Sequence, residues 1–311
     1  MTNGGPVAIV GAGTIGTSFA LLFASAGFDV RVQDPDPARR AALRGEAAST
    51  FADLAAHGLA DGLCEDVLGR IAVAPDLAAA VRGAGHVQDC VPERLDLKRS
   101  LFAELDRLAP AGATLASSSS FLVASSFAAD LPGRARCLVA HPGNPPTLIR
   151  LVEIVPAPFT DPAVVERSAS LFASAGLAPV LIGREVEGFA FNRLQGALLR
   201  EAYCLVRDGV ASVADVDRIL RDGLGLRWSA VGPFETADLN SRGGIRAHAE
   251  RMGPSYARLG AERGQRDPWT PELVAEVERQ RRALMPLDGR DEAVRRRDRA
   301  LMAVLAARKR P

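Results

Sequence analysis

The stretch that most narrows the possible folds lies at the start of the chain. An apolar run, Pro6-Val-Ala-Ile-Val10, leads into Gly11-Ala-Gly13-Thr14-Ile15-Gly16. A run of small and apolar residues follows and stops at Gly27; Asp29-Val-Arg-Val-Gln33 then alternates as a strand that ends at Asp34. Strand, glycine-rich turn, helix, strand and acid is the order that a dinucleotide-binding βαβ unit requires. The glycines permit a tight turn, close approach of a pyrophosphate, and close packing of helix on strand, and the helix N-terminus then faces the phosphates. Asp34 is placed to bond both ribose hydroxyls and to repel a 2′-phosphate, which favours NAD over NADP. Arg39 and Arg40 lie further on and pull the other way, because a nearby arginine can accommodate that phosphate.

At about 150 residues per domain, 311 residues suggest two domains. The formal net charge of +1 argues for no nucleic acid and no membrane partner. Cys64, Cys90, Cys137 and Cys204 lie far apart without a CxxC pair, so they form neither a zinc signature nor a disulfide framework, and no metal is expected. They fit a reducing, cytoplasmic compartment. The start carries no charged segment followed by an apolar one, and no apolar run is long enough to span a bilayer.

After Asp34 the pattern alternates between strands and helices. Residues 37–70 read as two helices forming a hairpin inserted in the sheet domain. Ile71-Ala-Val73 and His86-Val-Gln-Asp-Cys-Val91 read as strands, and Pro92-Glu93 opens a helix with Lys98 near its start. Glu93 and Lys98 at the carboxyl end of a parallel strand lie where a cofactor passes, although an ordinary solvated helix start has the same look. Thr114-Leu-Ala116 is a strand that runs into Ser117-Ser-Ser-Ser120, four hydroxyls suited either to a ligand or to capping the next helix. A helix over 160–175 and a strand over 179–182 end the alternation. From Gly188 the pattern is helical, with a capping-box-like start at Ser212-Val-Ala-Asp215, a glycine-bearing loop from Gly225 to Pro233, a helix start at Thr270-Pro271-Glu272, and a basic helix over 291–310. The expected fold is α/β: a Rossmann-like, mostly parallel sheet domain over 1–187 and a smaller all-α domain over 188–311.

Within the sheet domain one stretch carries chemistry. Cys137-Leu-Val-Ala140 reads as a buried strand, Arg150-Leu-Val-Glu-Ile-Val155 as another, and Pro142, Pro145 and Pro146 between them forbid helix and ladder pairing. A rigid turn there can bring Glu153 back beside His141. A carboxylate on one ring nitrogen fixes the tautomer and leaves the other nitrogen free to take a proton. A strand-end histidine and an ordinary glutamate on an edge strand fit the same pattern.

These motifs together resemble the 3-hydroxyacyl-CoA dehydrogenase superfamily. The resemblance rests on GAGTIG with Asp34, VPERLDLK at 91–98, SSSSFL at 117–122, HPGNPPTLIRLVEIVP at 141–156 and GFAFNRLQ at 188–195, and it covers essentially the whole chain. It is closest to the λ-crystallin and L-gulonate 3-dehydrogenase branch, which shares HPxNPP, GLGxR followed by an aromatic residue, and GPxET, matched by Arg227, Trp228 and Gly232-Pro-Phe-Glu-Thr236. The resemblance implies His141 as general base, Glu153 as its orienting partner, Ser120 on the reacting oxygen and Asn192 on the substrate carbonyl. It places Asp34, Glu93 and Lys98 on the nucleotide and Asn144 near the nicotinamide. Ser118 stands where the acyl-CoA enzymes carry asparagine, and Phe121 where they carry serine. The implied activity is NAD-dependent oxidation of a short 3-hydroxy acid resembling L-gulonate, by a homodimer paired through the helical domain. Arg227 is the expected carboxylate contact, with a surface arginine stacked on Trp228 as the competing reading. A 3-hydroxyacyl-CoA dehydrogenase is the alternative enzyme, with Arg39, Arg40 and Arg44 as its basic side chains. A crystallin-like structural or nucleotide-binding protein without turnover is the alternative of another class.

Overall fold

A computed structural model of the chain describes residues 5–229, 231–241 and 244–263, and single positions between 272 and 307. Contacts divide the chain into two units, Met1–Arg193 with Arg295–Pro311, and Leu194–Val294.

The first unit alternates strands and helices: β1 (Val7–Val10), α1 (Thr14–Ser25), β2 (Val30–Gln33), α2 (Pro37–Ala56), α3 (Cys64–Gly69), β3 (Ile71–Val73), α4 (Leu77–Val81), β4 (His86–Asp89), α5 (Leu95–Leu108), β5 (Thr114–Ser117), α6 (Ser125–Ala128), β6 (Cys137–Pro142), β7 (Leu151–Pro156), α7 (Pro162–Ser174) and β8 (Ala178–Leu181). They build one eight-stranded sheet in the order β3-β2-β1-β4-β5-β6-β7-β8. It is parallel except that β7 runs antiparallel to β6, with β8 parallel to β7. The order reverses between β1 and β4, and ligands of open α/β sheets bind at such a switch point, beyond the carboxyl ends of the strands. α2 and α7 start by the same device: Asp36 and Asp161 accept from the N–H groups of Ala38 and Ala163, with proline in the first turn. α5 begins at Leu95, later than Pro92-Glu93 implied, with Arg94 in extended backbone as its N-cap. Pro142 also departs from expectation: it pairs with Val152 as the last rung of the β6–β7 ladder. A terminal rung tolerates a residue without an N–H.

Alternate residues of β1 face opposite cores. Val7 and Ile9 join a cluster with Phe19, Phe23 and Phe172, while Ala8 and Val10 join one with Phe102, Leu105 and Phe127. Burial on both faces is what a central parallel strand requires. The first cluster also takes in Met302, beside Leu54 and Leu148. The tail from Arg295 thus groups with the sheet unit, where the sequence placed it with the helical domain. Its other apolar positions, Val294, Leu301 and Leu305, lie outside the described residues, as does the Thr270-Pro271 helix start.

The second unit is reached along α8 (Phe191–Arg207) and holds α9 (Val213–Arg218), a π-helical stretch Ile219–Leu224, α10 (Gly225–Trp228), α11 (Pro233–Leu239) and α12 (Gly244–Arg263). Ser212 caps α9 as its motif implied, accepting from the Asp215 N–H at 3.2 Å. The expected loop from Gly225 is instead helical to Trp228, because the chain absorbs an extra residue as a π-bulge. The Gly225 N–H bonds the Leu220 carbonyl, and a Cβ on Gly225 would lie 2.7 Å from that oxygen. On α8, Leu194 is 67% and Leu198 is 40% exposed. Among the described residues no helix is long and apolar enough to cross a membrane.

His86 opens β4 inside the phenylalanine cluster, its ring 5.4 Å from Phe172 and 6.1 Å from Phe23. Burial pushes its imidazole down to about 4, against the opposing effect of a bond to Gln88. In the unfolded chain it titrates near its ordinary value of about 6.5. The unfolded state therefore binds the extra proton first, so stability is full above that value and falls as pH drops from 6.5 towards 4. The loss amounts to about 3 kcal/mol at the acid end. Urea unfolding at stepped pH should show this slope, and His86→Leu should flatten it whatever it does to absolute stability.

Candidate active site

β6 is buried along its whole length, and β7 returns beside it with His141 paired directly to Glu153. The turn between them closes tightly: the Gly143 N–H donates to the Leu151 carbonyl, and a Cβ on Gly143 would lie 2.3 Å from Ile149 Cγ2. Glu153 is on an interior strand, covered by β8. Its Oε2 lies 2.9 Å from His141 Nδ1, and the two residues are 2% and 6% exposed. Its Oε1 accepts the backbone N–H groups of Ala190 at 2.8 Å and Phe191 at 2.9 Å, where α8 begins. Burial alone pushes the Glu153 carboxyl up, but the bonds from His141, Phe191 and Ala190 outweigh it and hold the group below the ordinary range. The ionised carboxylate keeps the imidazole proton on Nδ1 and leaves Nε2 as the acceptor.

The chain reaches those two N–H groups through Gly188 at φ +75° and Phe189 at φ +49°. A positive φ is strained for phenylalanine, and such strain persists only where the surroundings over-determine it. Phe189 is fully buried, with its ring 5.5 Å from that of His141, and the Phe191 ring stands at 6.2 Å. Asn192, next along α8, donates from Nδ2 to the Ser120 carbonyl at 3.0 Å. His141, Glu153, Asn192 and the Ser120 segment are therefore joined through the first turn of one helix.

The four serines divide by role. Ser117 Oγ donates to Asp89 Oδ2 at 2.8 Å, Ser118 Oγ accepts from Gln88 Nε2 at 2.8 Å, and Ser119 Oγ donates to Glu93 Oε1. α6 has no side-chain cap, so none of them serves as its N-cap. Ser120 Oγ alone makes no hydrogen bond to another described residue. Glu93 Oε1 also accepts from the N–H groups of Phe121 at 2.7 Å and Leu122 at 2.9 Å, clamping the loop after the serines. Burial opposes ionisation of Glu93, and these bonds outweigh it, so its carboxyl lies below the ordinary range.

Lys98 is not open to a ligand as expected. It is 1% exposed, with Nζ 2.6 Å from Asp89 Oδ2 and 3.2 Å from the Val91 carbonyl. Removing an ammonium from water requires a partner of this kind. Asp89 and Gln88 are the residues that the sequence reading missed; polar side chains in a strand at the centre of a parallel sheet were the available signal.

The nucleotide turn fits a pyrophosphate. Gly11 has φ +102°, and a Cβ there would lie 2.8 Å from the Cys90 carbonyl. A Cβ on Gly16 would lie 1.8 Å from the Gly11 carbonyl, whereas nothing stands within 4 Å of the Gly13 position. Packing thus excludes side chains at the first and third glycines, and the second faces open space. No side chain caps α1, so its first-turn N–H groups around Thr14 and Ile15 remain available to an anion. Asp34 accepts from the Ala12 N–H at 2.7 Å and the Asp36 N–H at 2.9 Å, which holds its carboxylate beside the turn. Arg39 donates to the Ala12 carbonyl and pairs with Glu46, and Arg40 donates to the Asp34 and Pro35 carbonyls. Asn144 is exposed on the turn after β6, and its side chain bonds no other described residue. Arg227 belongs to the second unit, exposed on α10.

Comparison with known proteins agrees with this architecture. Residues 6–186 match the NAD-binding domain of 3-hydroxyacyl-CoA dehydrogenase, and residues 188–284 match its C-terminal domain. The chain is 46% identical over 259 residues to a λ-crystallin homologue of Bos taurus, covering 82% of this chain and 80% of that protein. It is 40% identical over 274 residues to an L-carnitine dehydrogenase of Streptomyces griseus, covering 88% and 78%. Its fold superposes with a TM-score of 0.77 on an NAD+-dependent 5-formyl-3-hydroxy-2-methylpyridine 4-carboxylic acid 5-dehydrogenase, at 27% identity over 95% of this chain and 98% of that one. A cofactor turn at the sheet's switch point, both domain matches and relatives along most of the length lead to one conclusion: this chain belongs to the 3-hydroxyacyl-CoA dehydrogenase family, on the side of the λ-crystallin homologues, and is an NAD-dependent oxidoreductase acting on CH–OH.

Proposed function

We propose that the chain oxidises the hydroxyl of a short 3-hydroxy acid resembling L-gulonate, with His141 as general base. The carrying observation is the buried contact of His141 Nδ1 with Glu153, which presents Nε2 as the basic atom. NAD, when bound, supplies the hydride acceptor. His141 Nε2 takes the hydroxyl proton, and Glu153 stabilises the imidazolium that forms. Ser120 Oγ, which bonds no other described residue, bonds the reacting oxygen, and Asn192 holds the same end of the substrate. The loop clamped by Glu93 keeps Ser120 in place. In the reverse direction the imidazolium returns its proton to the carbonyl oxygen.

A small carboxylate is favoured over a CoA thioester for two reasons. The arginines that a CoA phosphate would need are engaged in the fold: Arg39 and Arg40 at the turn, and Arg44 on the Leu68 carbonyl at 3.4 Å. Two of the similar dehydrogenases are named for small molecules, L-carnitine and a pyridine carboxylic acid. We assign the substrate carboxylate to Arg227, whose planar guanidinium suits two parallel bonds to it. The assembly we propose is a homodimer paired through the helical unit, where Leu194, Leu226, Phe234 and Leu239 are each more than 60% exposed.

His141→Gln should lower kcat by about 10²–10⁴-fold and leave the Kd for NADH unchanged, because the base acts in the transition state. Glu153→Gln should cost less than that. Steady-state kinetics with NADH fluorescence titration measure both, and an active His141→Gln enzyme overturns the assignment. Arg227→Met should lower kcat/KM for a 3-hydroxy acid at least about tenfold, the scale of one charge-assisted bond. A parent enzyme that prefers acetoacetyl-CoA contradicts the substrate assignment. Light scattering at micromolar concentration should report twice the chain mass, and a monomer there removes the dimer.

A further inference from the structure

Strand β4 is the anomaly of the sheet. Central parallel strands are buried on both faces and read as apolar runs. β4 reads His86-Val87-Gln88-Asp89, with its three polar side chains at 3%, 0% and 0% exposure. Asp89 is accounted for by Lys98 and Ser117. His86 and Gln88, two residues apart, share the opposite face.

We propose that Gln88 is a positioning residue for the reaction, its buried amide holding the Ser118–Ser120 segment and the Ala140–His141 peptide in one fixed relation. Gln88 Nε2 donates to Ser118 Oγ at 2.8 Å and to the Ala140 carbonyl at 3.3 Å. Pairing of β5 with β6 ends at Ser117 and Val139. The Ala140 carbonyl lies one residue past that ladder, and the Gln88 amide stands where the next strand donor would be. Ala140 immediately precedes His141, and Ser118 lies two residues before Ser120. A single side chain thus ties both edges of the site to β4.

His86 decides which way the amide faces. Its Nε2 is 3.0 Å from Gln88 Oε1, and its buried Nδ1 has no partner among the described residues. A neutral imidazole carries one N–H, and this one is directed at Gln88 Oε1. The amide oxygen is thereby held on the His86 side and the two N–H donors on the active-site side. Reversing the amide would set its nitrogen against the His86 donor and its oxygen against the Ala140 carbonyl. The pairing suits this chain's serine at position 118, whose hydroxyl accepts from Gln88 and keeps its own proton for another acceptor.

The inference rests on His141 as general base, and its test does not require turnover. The chain has four histidines, His57, His86, His141 and His248, few enough for ring-labelled imidazole NMR. Gln88→Met keeps length and removes both donors. It should move the His141 ring-nitrogen signals away from the Nδ1–H form, through a looser contact with Glu153. The Kd for NADH should stay within about twofold, while kcat on whichever 3-hydroxy acid the parent turns over falls about tenfold or more, as misplaced reacting groups do. Ser118→Ala should give a smaller shift in the same direction. The double variant should be no worse than Gln88→Met, because the two residues share one interaction. Unchanged His141 ring-nitrogen signals in Gln88→Met reduce Gln88 to packing and overturn the proposal. Where that variant does not fold, an unchanged His141 in Ser118→Ala overturns it equally. A parent that turns over no 3-hydroxy acid refutes the substrate reading alone, because the His141 ring-nitrogen signals still decide the role of Gln88.

Discussion

The site depends on one buried carboxylate. Glu153 lies out of water on an interior strand, and an ionised group there is tolerable only if its oxygens are bonded. One oxygen takes His141 and the other takes two backbone N–H groups at the start of α8. The second set forces the chain through positive φ at Gly188 and Phe189, a cost that burial of the Phe189 ring offsets. The electrostatics of the histidine and the direction of the helix carrying Asn192 are thus set by the same atom group. A substitution at Glu153 acts on both together.

The carboxyl ends of β4 and β5 obey the same rule with different chemistry. Asp89 is satisfied by a lysine and a serine, Gln88 by a histidine, a serine and a main-chain carbonyl. These networks hold Ser117 and Ser118 while Glu93 holds Ser119 and the loop after it, and the hydroxyl left over is Ser120. Buried polar networks are costly when half satisfied and specify a single arrangement when complete. Apolar side chains in β4 would pack as well and would leave the serine segment without a defined position.

What was legible in the sequence follows how local each signal is. The glycine turn, the strand ending in Asp34 and the fold-back between His141 and Glu153 are encoded within a few residues each, by glycine, proline and period-two patterning. Lys98 was misread because its partner Asp89 is set by the packing of α5 against β4, which no local pattern records. The serines looked equivalent because their separate partners come from a neighbouring strand and loop. Arg227 was expected in a loop because two glycines precede it, yet one of them serves the closeness of a π-bulge. Gln88 and His86 broke the rule for central strands, and that break was the clue.

The tail carries a consequence for how the chain is made. The sheet unit is discontinuous: it leaves off at Arg193 and resumes at Arg295, and Met302 then fills a core position beside Leu54 and Leu148. Domains that emerge first on the ribosome generally fold first. The nucleotide-binding sheet of this protein can form early, yet its apolar core stays open until the segment from Arg295 has been synthesised. Completion of the first domain is in this way coupled to synthesis of the entire second unit, and a chain cut before Arg295 carries an uncovered patch at Leu54 and Leu148.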